Sequence, residues 1–148
     1  MAEHIEILVG TTAGNTEFLA SELETEIQQK GFTTTFHDAP NLPEVTKQGI
    51  WLFCVATHGA GEYAESIEGF MEQLNQEKPD LSNIKFAIIA IGDSSYDTFC
   101  QAGRDTDALV QSLGGVPIHD VLEIDMMFDL EPETSAIQWL AQWIDKIA

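Results

Sequence analysis

Ile50-Trp51-Leu52-Phe53-Cys54-Val55 and Phe86-Ala87-Ile88-Ile89-Ala90-Ile91 are unbroken apolar runs. Neither shows the alternating polar positions of a strand with one wet face, so each is read as a strand buried on both faces of a parallel sheet. Between them Ile67, Phe70, Met71 and Leu74 mark one face of a helix that Pro79 stops. Upstream, Ile5, Ile7, Leu8 and Val9 form a β-rich run ending at Gly10, followed by a helical pattern with Phe18, Leu19, Leu23 and Ile27. Gly31 closes that helix, Thr33 to Phe36 reads as a second strand, and Pro40 with Pro43 punctuates the next loop. Downstream, Leu109, Val110 and Leu113 mark a helix ending at Gly114-Gly115, and Val116 to Ile124 reads as a fifth strand. A last helix carries Ile137, Leu140, Ile144 and Ile147, with Trp139 and Trp143 flanking that stripe.

Five strands alternating with helices predict an α/β fold: a five-stranded parallel sheet with helices on both faces and right-handed crossovers. Ligands of such sheets bind outside the carboxyl ends of the strands, where the strand order reverses. The loops after strands one, three and four are therefore the place for a site. No repeat, low-complexity tract or linker interrupts the chain, so one domain is expected over residues 1–148.

The 148 residues are 44% hydrophobic and 9% aromatic, inside the globular range. Six Lys and Arg against 25 Asp and Glu give a net charge of −19. That charge repels nucleic acid phosphates and anionic headgroups, and basic proteins are the partners it favours, although it also serves plain solubility. Two cysteines, Cys54 in an apolar run and Cys100 in a polar loop, have no metal-ligand or CxxC spacing. The longest apolar run is far too short to span a membrane, and Met1-Ala2-Glu3-His4 has no basic-then-apolar leader. A cytoplasmic protein is expected.

Gly10-Thr11-Thr12-Ala13-Gly14-Asn15-Thr16-Glu17 leads from a strand into a helix and holds no Lys or Arg. Unpaired N–H groups and the positive dipole at a helix start can hold a phosphate without a cation. The missing GxxxxGK[ST] and GxGxxG patterns argue against nucleoside triphosphate and dinucleotide, which leaves a phosphate monoester. Thr and Asn at a helix start also act as plain N-caps. After the third strand, Thr57-His58-Gly59-Ala60-Gly61 combines backbone freedom with a histidine that serves equally as an ordinary loop residue. After the fourth, Gly92-Asp93-Ser94-Ser95-Tyr96-Asp97-Thr98-Phe99-Cys100 offers Tyr96 for stacking on a planar ring, with local packing as the alternative for Tyr96 and Phe99.

In order and separation, these three loops resemble the FMN-binding loops of flavodoxins, over essentially the whole chain. Thr57-His58-Gly59-Ala60-Gly61, Lys78-Pro79-Asp80-Leu81 and Tyr96 to Cys100 look most like the short, MioC-type members. The space between Asp125 and Glu133 has no room for the long-chain insertion. The resemblance implies a flavodoxin-like three-layer sandwich with strand order 2-1-3-4-5 and one non-covalent FMN; the doubly-wound flavodoxin with FMN at its switch point is a standard example of this rule. It implies a low-potential electron carrier with no substrate turnover of its own, expected to be monomeric. A flavodoxin or ferredoxin-NADP reductase would be the donor, and biotin synthase or a similar enzyme the acceptor.

Carried over residue by residue, the resemblance makes Thr11, Thr12, Gly14, Asn15 and Thr16 the phosphate site, with Ala13 in the same loop. Tyr96 then stacks on the outer isoalloxazine face, and Asp93 to Cys100 contacts the pyrimidine edge. Many flavodoxins carry Trp where this chain has His58. The Gly59-Ala60 peptide would turn its carbonyl toward N5–H of the reduced flavin, a rotation that glycine permits. Glu62, Glu65, Glu68, Asp93, Asp97 and Asp129 would form an acidic rim that steers basic partners, and Met126-Met127-Phe128 would supply either an apolar docking patch or core.

Two rival readings differ in class. A receiver domain of similar topology needs an acidic pair after strand one, an Asp ending strand three and a Lys after strand five, and Gly10-Thr11, Ala56-Thr57 and Asp125-Met126 supply none of these. A binding or regulatory module could keep the fold without carrying electrons.

Overall fold

Side chains along a strand alternate between faces, so a strand apolar at every position must be covered from both sides. The computed structural model describes residues 4–11, 15–58, 62–93 and 100–147, apart from the side chains of Asn15 and His58, and shows two such covers. Its elements are β1 (His4–Gly10), α1 (Asn15–Gln29), β2 (Thr33–His37), β3 (Gly49–His58), β4 (Glu62–Tyr63), α2 (Glu65–Glu77), β5 (Ile84–Gly92), α3 (Gln101–Ser112), β6 (Val116–Pro117), β7 (Leu122–Asp125) and α4 (Pro132–Trp143). Ile50, Leu52 and Cys54 of β3 pack with Ala87, Ile89 and Ile91 of β5 beneath α1 and α4. Trp51, Phe53 and Val55 pack with Phe86 and Ile88 beneath α2 and Val110 of α3.

The strand order is β2-β1-β3-β5, with β6 and β7 both pairing with β5. All of these pairs are parallel, in registers that include Ile7↔Phe36, Ile7↔Leu52 and Phe53↔Ile88. This is the expected flavodoxin-like order, with two differences. The predicted fifth strand is two short pieces, because Pro117 has no N–H for the ladder and residues 118–121 bend before pairing resumes at Leu122. The sheet also gains β4, which folds back antiparallel on β3 through Thr57↔Tyr63 and His58↔Glu62.

Helix faces follow the apolar spacing with two corrections. Phe18 is not part of the buried stripe of α1, being 57% exposed, because Leu19, Leu23 and Ile27 keep the four-residue spacing that faces the sheet. In the last helix Leu140 and Ile144 are buried as read, but the tryptophans join that stripe instead of flanking it. Trp139 and Trp143 are buried edge to face at 5.4 Å, while Ile137 lies at the margin. Cys100, in the turn before α3, has its own side chain fully buried, and its thiol donates to the Ala90 carbonyl at 3.4 Å. Helix α2 ends as read, with Lys78 in the left-handed conformation just before Pro79. No helix among the described residues is long and apolar enough to cross a membrane.

At Gly103 the helix α3 touches the sheet so closely that an added Cβ would overlap Ala90, 3.1 Å from its Cα. Gly103→Ala should therefore lower stability by about 1–3 kcal/mol through overpacking, read as a drop in urea midpoint. Glu6 is buried on β1, and its carboxylate accepts from the Thr46 N–H at 3.0 Å and bonds the His37 ring at 3.1 Å. Burial alone would raise the Glu6 carboxyl, but these bonds and the His37 charge overcome it and hold the group below its ordinary value. A lowered carboxylate stabilises the fold above its unfolded value, and that stability is lost as pH falls through the folded one. Acid unfolding followed by circular dichroism should show a Glu6→Gln variant less stable at neutral pH and less sensitive to pH through the acid range.

Candidate functional site

Adjacent parallel strands lie ~4.8 Å apart, so three neighbouring strand ends present loops across ~10 Å. Strands β1, β3 and β5 are such neighbours, and Gly10↔Val55 and Ala56↔Ile91 set their carboxyl ends level. The chain passes from β1 outward to β2 and then back across to β3, so this edge is the point where strand order reverses.

At the first loop, Thr11 follows β1 half-buried, and its N–H donates to Ser66 Oγ at 2.8 Å. Ser66 in turn donates to the Val9 carbonyl at 2.9 Å. Asn15 opens the 15-residue α1, and Thr16 in its first turn is 3% exposed. At the second loop, Thr57 Oγ1 accepts the Ala102 N–H at 3.1 Å, tying β3 to the start of α3, and His58 is the last residue of β3. At the third, Gly92 ends β5 and its carbonyl accepts the Met126 N–H at 2.8 Å, with half-buried Asp93 next in the chain. Cys100 precedes α3 in the left-handed conformation. Thr11, Asn15, Thr16, Thr57, His58, Gly92, Asp93 and Cys100 are thus brought to one edge. Thr12, Ala13, Gly14, Gly59, Ala60, Gly61, Ser94, Ser95, Tyr96 and Phe99 lie outside the described residues, as does the side chain of His58.

The donor set suits a phosphate monoester. A helix start backed by threonines supplies N–H and hydroxyl donors, and the first loop holds no cation. Neither buried thiol is a nucleophile at neutral pH. Burial pushes Cys54 up to about 12, and burial with the Glu123 charge pushes Cys100 to about 12. Among the described residues no group of three His, Cys, Asp or Glu is arranged to hold a metal.

The lysines are gathered at one end of the strand axis. Lys30 follows α1, Lys47 precedes β3, Lys78 caps α2, Lys85 starts β5 and Lys146 follows α4, all at the edge opposite the loops. The sixth basic residue, Arg104, lies nearer the loops and is paired with Glu123 at 2.7 Å. Beside the loops Met126, Met127 and Phe128 are 42%, 52% and 75% exposed, which settles them as surface and not core. Two residues that sequence reasoning missed extend this patch: Phe18, and Leu130 at 93% exposure. Leu130 stands between Asp129 and Glu131, a context that could have signalled exposure. A groove of about 350 Å³ runs between Phe18 and Leu19 on one side and Met126, Leu130 and Pro132 on the other.

The sequence profile of the flavodoxin family matches residues 7–139. Protein MioC of Escherichia coli K12 is 36% identical over 95% of this chain and 96% of its own length. The sulfite reductase [NADPH] flavoprotein alpha-component of Bacillus subtilis is 32% identical over 95% of this chain and 23% of that longer protein. Among solved structures, a cysteine-to-alanine mutant of flavodoxin from Pseudomonas aeruginosa superposes with a TM-score of 0.90 at 25% identity, covering 97% of this chain and 98% of that one. With its site edge at the β1/β3 reversal, this chain therefore belongs to the flavodoxin family, a family of FMN-binding electron carriers.

Proposed function

We propose that this protein is a single-domain, low-potential, cytoplasmic electron carrier that takes electrons from a reductase and delivers them to acceptor enzymes. The observation that carries this reading is the alignment of the β1, β3 and β5 ends beside the N-terminus of α1. Bound FMN supplies the one-electron chemistry, and the protein sets how strongly each redox form is held. Thr11, Thr12, Gly14, Asn15 and Thr16 hold the phosphate. Tyr96 covers the outer ring face, Asp93 to Cys100 line the pyrimidine edge, and His58 with Gly59 stands where the inner face would be covered. A negatively charged rim, distant from every lysine, disfavours further negative charge on the flavin and keeps the potential low.

Purified protein titrated with FMN should show quenched flavin fluorescence and shifted flavin absorbance at one equivalent. A colourless protein that ignores FMN would instead be a binding or regulatory module, and the reading would fall.

The partner is basic. Phe18, Met126, Phe128 and Leu130 form an apolar surface with Glu17, Asp129, Glu131 and Glu133 around it and no basic residue between Arg104 and Lys146. Such a patch suits brief docking of a basic redox protein, first an NADPH-dependent flavodoxin reductase as donor and then biotin synthase or a similar acceptor. Phe128→Ser paired with Leu130→Ser should raise KM for the carrier several-fold in steady-state reduction by such a reductase, with kcat preserved, and added salt should raise KM for the parent protein.

A further inference from the structure

Ser66 sits in the first turn of α2, in a stretch whose apolar residues pack against the sheet, and its sequence context marks it as no more than a helix-start serine. Its hydroxyl does not serve its own helix. The N-cap position of α2 is Ala64, which has no side-chain cap, and Ser66 Oγ instead bonds the end of β1 and the residue after it. It accepts the Thr11 N–H at 2.8 Å and donates to the Val9 carbonyl at 2.9 Å. A hydroxyl is one donor and an acceptor at once, so a single side chain can satisfy both backbone groups that flank Gly10. Pairing with β2 ends at Leu8↔His37, so these bonds hold β1 beyond the reach of its outer neighbour.

Gly10 makes the bridge possible. An added Cβ there would lie 2.6 Å from Ile67 Cγ2, so the missing side chain lets α2 settle close against the end of β1. Ile67 is fully buried, and it fixes the height at which its neighbour Ser66 meets the strand.

We propose that Ser66 is a positioning residue for phosphate binding: it locks Thr11, the first residue of the phosphate loop, in place before the ligand arrives. The inference rests on the FMN reading above. Because the Thr11 N–H is engaged by Ser66, the backbone donors for the anion come from the start of α1. Order supplied in advance at Thr11 lowers the ordering cost that ligand binding must meet.

The experiment compares FMN with riboflavin, which lacks only the phosphate, binding to apoprotein by fluorescence titration. The parent protein should bind FMN more tightly than riboflavin. Ser66→Ala should lose about tenfold in FMN affinity, the scale of one part-buried hydrogen-bond pair, and keep its riboflavin affinity. Ser66→Thr, which retains the hydroxyl, should restore FMN binding. Parallel loss for both ligands would mean general loosening and would overturn the proposal, as would no loss for either. A parent protein that fails to distinguish FMN from riboflavin would overturn the phosphate reading itself, an outcome visible before any variant is made. If Ser66→Ala does not fold, Ser66→Cys gives the same readout, since the thiol is close in size and a weak hydrogen-bonding group.

Discussion

Burial of β3 and β5 on both faces is the constraint from which the rest follows. From Ile50 to Val55 every side chain of β3 is buried, and successive residues belong to opposite cores. Two helical layers are then required, and joining parallel strands through those layers returns every strand in the same direction. The carboxyl ends of β1, β3 and β5 consequently share one edge, and the connecting segments can meet there without disturbing either core. A site at that edge is held by a frame with little freedom to shift: Gly103 admits α3 against Ala90, and Gly10 admits α2 through Ile67.

That frame also governs how an anion is held in a protein of net charge −19. All lysines are at the opposite edge and Arg104 is paired with Glu123, while the first loop itself contains neither lysine nor arginine. In the proposed phosphate site neutral donors do the binding, and their value depends on alignment, since hydrogen bonds from backbone and hydroxyl groups weaken steeply with poor geometry. Side chains that order the backbone, Ser66 at β1 and Thr57 at the start of α3, matter more here than they would beside a lysine. The absence of lysine from this edge is the physical basis of the proposed low potential and of the proposed basic partners.

The apolar turn after β7 reflects a different balance. Phe128 and Leu130 stay exposed, while the buried face of α4 is filled by Trp139, Leu140 and Trp143. Asp125 and Asp129 brace the turn through the Met127 and Glu131 N–H groups, so the exposed side chains are presented by an ordered backbone. Methionines within such a surface adapt to partners of different shape, which suits the proposed docking of both donor and acceptor.

The amino-acid sequence by itself determined the layered parallel sheet, the helices and the site edge. Continuous apolar runs and three-to-four spacing are local signals that only one arrangement buries completely. The flavin was legible through the resemblance of three loops, taken in order, to the FMN-binding loops of flavodoxins, the family whose profile the chain matches. Tertiary structure alone decided which way residues at a boundary turned: Phe18 outward, Trp139 and Trp143 inward, Cys100 beneath the sheet end, and the fifth strand broken after Pro117. It also decided the tie between Ser66 and Thr11, residues 55 apart in the chain. Such a contact depends on how closely α2 approaches β1, and that distance is set by the packing of Ile67 over Gly10, which no periodicity in the sequence encodes.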